Sequence, residues 1–154
     1  MARRSPSKDT TKDILTALKQ LLANTYLLAI QTQGAHWNIT GRGFPGLHKL
    51  FQDQYGELAA AIDVIAERIR ALGEFAPASL GEFLELAVSK EIRGRGGFTE
   101  SDIEYLVTQH LDNAELAQYL GQITGKDITT QNLAADRIEA HEKAAWMLSA
   151  TLEN

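Results

Sequence analysis

Cysteine is absent from this chain of 154 residues, which excludes disulfide bonds, thiolate metal ligands and cysteine nucleophiles. No apolar run approaches the length that spans a membrane. The basic, polar N-terminus lacks the apolar stretch of a signal peptide, so we expect a cytoplasmic protein, with association with the nucleoid left open. The net charge of −5 argues against nucleic-acid binding by the folded body alone.

Apolar residues recur at helical spacing along most of the chain, and no useful length shows the alternation of a β-strand. Four long helices are predicted: 13–37, 44–72, one from Thr99 to Gly125, and one that begins near Thr129. A short helix, 80–89, is predicted in the connection between the second and third. The predicted fold class is all-α, a four-helix bundle with one crossover, with residues 1–12 as a flexible basic tail and residues 13–154 as one domain.

Two histidines and two carboxylates form the most informative pattern. His36 and His48 flank a glycine-containing turn, and Asp63 and Glu67 are four apart on one face of the predicted second helix. Imidazole and carboxylate together suit iron, zinc or manganese. His48 and Asp63 lie about 22 Å apart on an unbroken helix, whereas such ligands lie about 2.0–2.2 Å from a metal. The four residues are therefore either unrelated or brought together by two copies of the chain.

The second helix has a face suited to an antiparallel partner. The sequence numbers of His48 and Glu67 sum to the same value as those of Gln52 and Asp63. A two-fold axis between two antiparallel copies would therefore bring His48 of one copy level with Glu67 of the other, and Gln52 level with Asp63. Only small residues, Gly56, Ala59 and Ala60, lie between them on that face. The alternative interpretation is a solvated or ion-paired acidic face beside interior histidines. No Glu-x-x-His motif is present, which argues against a di-metal site inside one bundle.

These residues resemble a known family. The stretch Ala35-His36-Trp37-Asn38, then Leu47-His48, Ile62-Asp63 and Ala66-Glu67-Arg68-Ile69, is similar to the Dps family of ferritin-like proteins. The resemblance implies a ferritin-like bundle assembled into a hollow homododecamer. It implies ferroxidase sites at two-fold interfaces, with His36 and His48 from one subunit, Asp63 and Glu67 from its neighbour, and Trp37 beside them. It also implies oxidation of Fe(II), preferably by hydrogen peroxide, and storage of the ferric mineral.

One position departs from the family, which commonly has a carboxylate four residues after the second histidine. This chain has Gln52 there, and Asp53 is rotated about 100° away. A neutral amide is a poorer iron ligand, so one tight and one weak iron position are expected at each interface. Binding of zinc at the same site remains an open alternative.

Two further sites are expected. The resemblance implies acidic pores for Fe(II) entry, with Asp127 and Asp136 as candidates; alternatively Asp127 is a cap-region acid and Asp136 pairs with Arg137 or another neighbour. Basic residues of the tail suit DNA phosphates, although such tails often only increase solubility: Arg3, Arg4, Lys8 and Lys12.

The functional hypothesis is an iron-oxidising, iron-storing cage that protects DNA by removing iron and peroxide. The second hypothesis is a DNA-compacting or shell protein whose metal site is vestigial or binds zinc. Gln52 keeps the second hypothesis open, whereas His110 and His141 are interpreted as structural.

Overall fold

The computed structural model describes residues 8–91 and 97–153. Within those residues the secondary structure is helical apart from one isolated bridge, between Ile39 and Phe98. The helices are α1 (Lys8–Asn38), α2 (Phe44–Ala71), α3 (Leu80–Leu86), α4 (Glu100–Ile123) and α5 (Ile128–Ala150). The predicted all-α bundle with a short helix in the long connection is confirmed.

Local chemistry explains where the helices stop and start. Leu72 caps α2, and Gly73 follows with a φ of +98°, a backbone conformation that glycine adopts without steric cost. A capping box opens α4, where the Thr99 N–H donates to the Asp102 carboxylate over 2.7 Å. Both boundaries agree with the sequence prediction. None of the described helices is long and apolar enough to cross a bilayer.

Two boundaries differ from the prediction. Helix α1 begins at Lys8 rather than Asp13, so it includes the last residues of the expected tail, and the partly buried Thr10 and Thr11 show that this turn contacts the rest of the protein. Helix α3 ends at Leu86 rather than Ser89 because the Asn24 side chain accepts a hydrogen bond of 2.9 Å from the Val88 N–H, outside the helix. The tail residues before Lys8 lie outside the described part of the chain.

The interior consists of two apolar clusters along the bundle. Helix α1 packs against α2, and α4 packs against α5. One cluster includes Leu18, Ile69 and Leu120, and the other includes Phe51, Leu106 and Leu148. Helical spacing predicts an apolar face on α2, and of its residues Phe51, Leu58, Ile65 and Ile69 are buried. The residues Leu47, Leu50, Ile62 and Leu72 of the same face are partly buried, and Ala61 is buried beside it.

Buried polar side chains separate the two clusters on α4 and α5. His110 and His141 face each other with 2.9 Å between their Nδ1 atoms, and both residues are at most 1% exposed. Burial, and then the nearby Arg137 guanidinium, lowers the pKa of His110 to about 3. Burial also lowers the pKa of His141 well below its usual value. Both imidazoles are therefore neutral at physiological pH.

The histidine pair predicts acid destabilisation. Since both pKa values are lowered in the folded protein, the unfolded chain binds more protons once the pH falls below about 6.5. The free energy of unfolding is therefore unaffected by these groups above about pH 6.5. Below that pH each histidine lowers it by about 1.4 kcal/mol per pH unit, until the pH reaches the pKa of that histidine in the folded protein. Thermal unfolding followed by circular dichroism between pH 8 and pH 4 measures this.

The matched variant is His110→Leu combined with His141→Leu, which removes both titrating groups. Its melting temperature should depend less steeply on pH than that of the parent protein. An equal slope for both proteins would contradict the assignment.

Candidate metal centre

The imidazole ring of each of His36 and His48 is hydrogen-bonded to the backbone carbonyl of the other. His36 lies in the last turn of α1 and His48 in the second turn of α2. The His36 Nδ1 lies 2.7 Å from the His48 carbonyl oxygen, and the His48 Nδ1 lies 2.7 Å from the His36 carbonyl oxygen. The rings stack with centroids 3.7 Å apart. The two histidines therefore form one rigid unit that joins the end of α1 to the start of α2.

This reciprocal arrangement fixes the tautomer of both rings. A carbonyl oxygen only accepts hydrogen bonds, so each Nδ1 carries a hydrogen and donates it. In the neutral imidazole the other nitrogen, Nε2, then has its lone pair available. Metal-binding histidines are typically oriented in this way, by donating the second ring N–H to a carbonyl or a carboxylate. His36 and His48 thus have the geometry of paired Nε2 ligands.

Two aromatic rings pack against the outer sides of the histidine pair. Phe44 stacks on His48 at 5.0 Å between centroids, and Tyr55 meets His36 edge-on at 5.3 Å. Trp37, next along α1, is 65% exposed. Sequence reasoning identified Trp37 but assigned no role to Phe44 or Tyr55, whose contacts depend on the turn between α1 and α2.

The two carboxylates lie far from the histidines within one chain. Asp63 and Glu67 are exposed on the same unbroken helix as His48, which runs through all 28 residues of α2. The helical rise separates His48 from Asp63 by about 22 Å. Among the described residues, no group of three or more His, Asp and Glu side chains is arranged to hold a metal. One chain therefore supplies two separate halves of the predicted ligand set.

The face between those halves is open. Gln52, Gly56, Ala59 and Ala60 are all exposed, together with Asp63 and Glu67 at its far end. Val64, next to this face, is 54% exposed although it is apolar. Small side chains allow a second helix to approach closely, and a self-complementary face is what a two-fold interface requires. Asp53 forms an ion pair with Lys49, so it does not replace the carboxylate missing at Gln52.

The Asp127 carboxylate is bound by Arg68 of α2 within the same chain. Its side chain accepts a hydrogen bond of 3.0 Å from the Thr130 N–H and so caps α5. The Arg68 Nη2 donates to both carboxylate oxygens at 2.8 and 2.9 Å. Burial raises the pKa of Asp127, but hydrogen bonds from Thr130 and Arg68 together lower it below its usual value. Asp127 is thus the cap-region acid of the alternative interpretation, with its charge compensated by Arg68.

The remaining predicted residues are scattered. Asp136 is exposed on α5, and Arg137, one partner considered for it, instead forms an ion pair with Glu57. Lys12 is exposed on α1, and Lys8 is the first residue of that helix. Arg3 and Arg4 lie outside the described residues.

Comparisons with known proteins agree on one family. A family model described as the ferritin-like domain matches residues 15–154. The DNA protection during starvation protein of Brevibacillus brevis is 32% identical over 144 residues, which cover 91% of this chain and 95% of that protein. The solved structure of Dps from Thermosynechococcus elongatus has a TM-score of 0.91 at 27% identity, covering 97% of this chain and 96% of that one.

A second solved structure links this fold to metal chemistry. The Dps protein of Vibrio cholerae has a TM-score of 0.87 at 32% identity, covering 94% of this chain and 92% of that one. It is described as a member of a broad superfamily of ferritin-like diiron-carboxylate proteins. The ferritin-like character of the bundle is thereby confirmed.

The Asp127 contacts predict a stability effect. Asp127→Ala removes a helix cap and leaves the Arg68 guanidinium, whose side chain is 18% exposed, without its partner. We expect a loss of about 2–4 kcal/mol in the free energy of unfolding. Asp136→Ala, an exposed residue of the same helix, is the control and should change it by about 0.5 kcal/mol or less. Chemical denaturation measures both, and equal effects would contradict the capping role.

Proposed function

The chain belongs to the Dps family of ferritin-like proteins, and from this premise we propose that it oxidises Fe(II) and stores the ferric product in an oligomeric cage, which protects DNA from iron-dependent damage. The observation that carries the proposal is the paired Nε2 geometry of His36 and His48. The exposed carboxylates of Asp63 and Glu67 supply the complementary half. Iron is the substrate of this site.

We place the oxidation site between two subunits. A two-fold axis across the small-residue face of α2 would bring His48 of one subunit level with Glu67 of its neighbour, because the register of the antiparallel helices is symmetric. Each pair of subunits would then contain two equivalent sites. Twelve subunits in a closed shell, as the family implies, would direct every such site to the same enclosed space.

The ligand chemistry favours oxidation. Carboxylates are hard, anionic ligands that stabilise Fe(III) more than Fe(II), so Asp63 and Glu67 lower the potential of the bound iron. When two Fe(II) ions each give one electron to hydrogen peroxide, the O–O bond breaks and two protons are taken up to give water, without release of a hydroxyl radical. Trp37, largely exposed beside His36, is positioned to intercept a stray oxidising equivalent.

The entry route depends on Asp136 more than on Asp127. Arg68 compensates the charge of Asp127, whereas none of the ion pairs found in the described part of the chain involves Asp136. Copies of Asp136 around a symmetry axis would concentrate cations at the opening of the shell.

Mixed oligomers test the shared site. One variant carries His36→Ala with His48→Ala, and the other carries Asp63→Ala with Glu67→Ala. Each alone should lose rapid Fe(II) oxidation because every site lacks half of its ligands. In an equal, randomly assembled mixture, half of the two-fold pairs contain one intact site out of two, so about a quarter of the parental rate should return. Absorbance of the ferric product after anaerobic loading and addition of peroxide gives the rate.

The control mixture combines the histidine variant with Glu115→Ala, an exposed residue of α4 outside the predicted ligands. No recovery in the first mixture, with both variants assembled normally, would contradict a site shared between subunits.

The amide at Gln52 predicts unequal iron positions. Crystals soaked anaerobically in Fe(II) should show one well-occupied and one poorly occupied position at each interface. Gln52→Glu should raise the occupancy of the weaker position, since a carboxylate replaces a neutral oxygen at an exposed site. Gln118→Glu, the same change at an exposed position of α4 outside the predicted ligands, is the control for added charge. Equal occupancy of both positions in the parent protein would contradict the prediction.

Direct DNA binding by the tail remains a prediction of the sequence, since Arg3 and Arg4 lie outside the described residues. The DNA-compacting alternative differs from the proposed function in one result: it expects tight DNA binding without peroxide-dependent oxidation of Fe(II).

A further inference from the structure

The His36 imidazole is oriented by contacts with α2, although His36 itself belongs to α1. Its Nδ1 donates to the His48 carbonyl oxygen over 2.7 Å, and its ring stacks on the His48 ring. A third contact comes from the edge-on ring of Tyr55, with 5.3 Å between the centroids and 70° between the planes. The helix that carries Asp63 and Glu67 therefore also controls the direction of the His36 Nε2.

Tyr55 makes this contact from a well-fixed part of α2. It lies seven residues after His48, about two turns further along the helix. Gln54, the residue before it, is buried, and Leu58, three residues after it, is fully buried, so this turn is packed against the interior. His36 lies in the last turn of α1, and helix ends fray more readily than helix centres. The fixed side chain is thus Tyr55, and the one that needs support is His36.

The contact acts on a ring that its hydrogen bond alone does not fix. One hydrogen bond at Nδ1 leaves the imidazole free to tilt about that atom, away from the His48 ring. The His48 ring lies on one side of His36, and Tyr55 packs against the outer side. Ligand groups have to be held within about 0.5 Å and 10–20° of their productive geometry. Loss of the Tyr55 ring therefore changes the direction of the Nε2 before it changes the fold.

The position of Tyr55 on α2 agrees with such a role. Tyr55 is half-buried, on the stripe of the helix that also carries His48, Gln52 and Ala59. This stripe borders the small-residue face that we place against a second subunit. The recorded contact with His36 is made by the aromatic ring of Tyr55, so the hydroxyl group is not needed for it.

We propose that Tyr55 is a positioning residue of the oxidation site, which holds the His36 ring so that its Nε2 is directed at the iron substrate. The inference rests on the proposed function, in which His36 is a ligand. Tyr55 touches neither iron nor peroxide and acts through His36. An aromatic contact of this kind is worth about two- to tenfold in an equilibrium constant beyond the apolar area it buries.

Cobalt binding tests the role without an oxidation step. Co(II) takes the same imidazole and carboxylate ligands as Fe(II), and calorimetry of the assembled protein gives its affinity. The variant with His36→Ala and His48→Ala identifies the signal of the shared site. Tyr55→Leu keeps an apolar side chain but removes the ring, and it should weaken Co(II) binding by about three- to tenfold. Tyr55→Phe keeps the ring and should bind Co(II) as the parent protein does.

A second tyrosine provides the matched control. Tyr26 is also half-buried, and its ring stacks on Phe83 with 4.5 Å between centroids. Tyr26→Leu removes a comparable ring contact away from the histidine pair and should leave the Co(II) affinity unchanged. Equal losses in Tyr26→Leu and Tyr55→Leu would indicate a general structural effect and overturn the proposal. A loss in Tyr55→Phe as large as that in Tyr55→Leu would assign the effect to the hydroxyl and overturn it as well.

The oxidation assay separates binding from chemistry. Tyr55→Leu should raise the KM for Fe(II) by about three- to tenfold and change kcat by less than about twofold, because saturating iron compensates for a less well directed ligand. A lower kcat with an unchanged KM would contradict a positioning role. A parent protein that binds Co(II) but does not oxidise Fe(II) would refute the proposed function, whereas normal oxidation by both proteins with equal KM would refute this inference alone.

The crystal structure of the Tyr55→Leu variant decides the ring orientation without a metal. The His36 ring should be tilted away from the His48 ring, with its Nδ1 still next to the His48 carbonyl oxygen. A His36 ring in the parental orientation would overturn the proposal. If the leucine variant does not assemble, Tyr55→Met, which fills more of the space left by the ring, takes its place in all three measurements.

Discussion

The length and rigidity of α2 govern the rest of the molecule. Its 28 residues form one unbroken helix, so the histidine end and the carboxylate end cannot meet within one chain. The buried face fixes the helix against the core through Phe51, Leu58, Ile65 and Ile69. Any chemistry that needs both ends must therefore use a second copy, and the small residues between them leave room for it.

Two ion pairs to α5 also hold α2 in place, at two positions along the helix. Arg137, nearly buried, binds Glu57 near the middle of α2, and Arg68 binds Asp127 near its end. Asp63 and Glu67 lie on the segment between these two anchors. The carboxylates thus project from a helix that is held on another of its sides, which suits groups that have to meet a partner in a defined geometry. The side chain of Asp127, an entry-route candidate from the sequence, also takes part in this scaffold.

The interior combines stabilising apolar clusters with a polar layer that burial alone would disfavour. His110 and His141 partly satisfy each other, yet each keeps a ring nitrogen without a protein partner. Arg137 and Asn113 keep a free polar atom in the same part of α4 and α5. Native proteins rarely retain several buried polar atoms without partners, so the apolar clusters on either side must offset the cost of this layer.

The sequence by itself determined the helices, the apolar face of α2 and the identity of the four ligand candidates. These depend on local periodicity, on capping residues such as Thr99 and Asp102, and on spacing along one helix, all of which are properties of neighbouring residues. The distance argument for a shared site also needed no more than the rise per residue of a helix.

The tertiary structure decided which atoms of those residues are available. The reciprocal hydrogen bonds that free both Nε2 atoms depend on how the turn folds α2 back onto α1, and no spacing rule contains that geometry. The same holds for Arg68 with Asp127, 59 positions apart, and for His110 with His141, 31 apart. Such contacts arise when packing brings distant segments together, because hydrogen bonds and ion pairs act over a few ångströms of space and not along the chain.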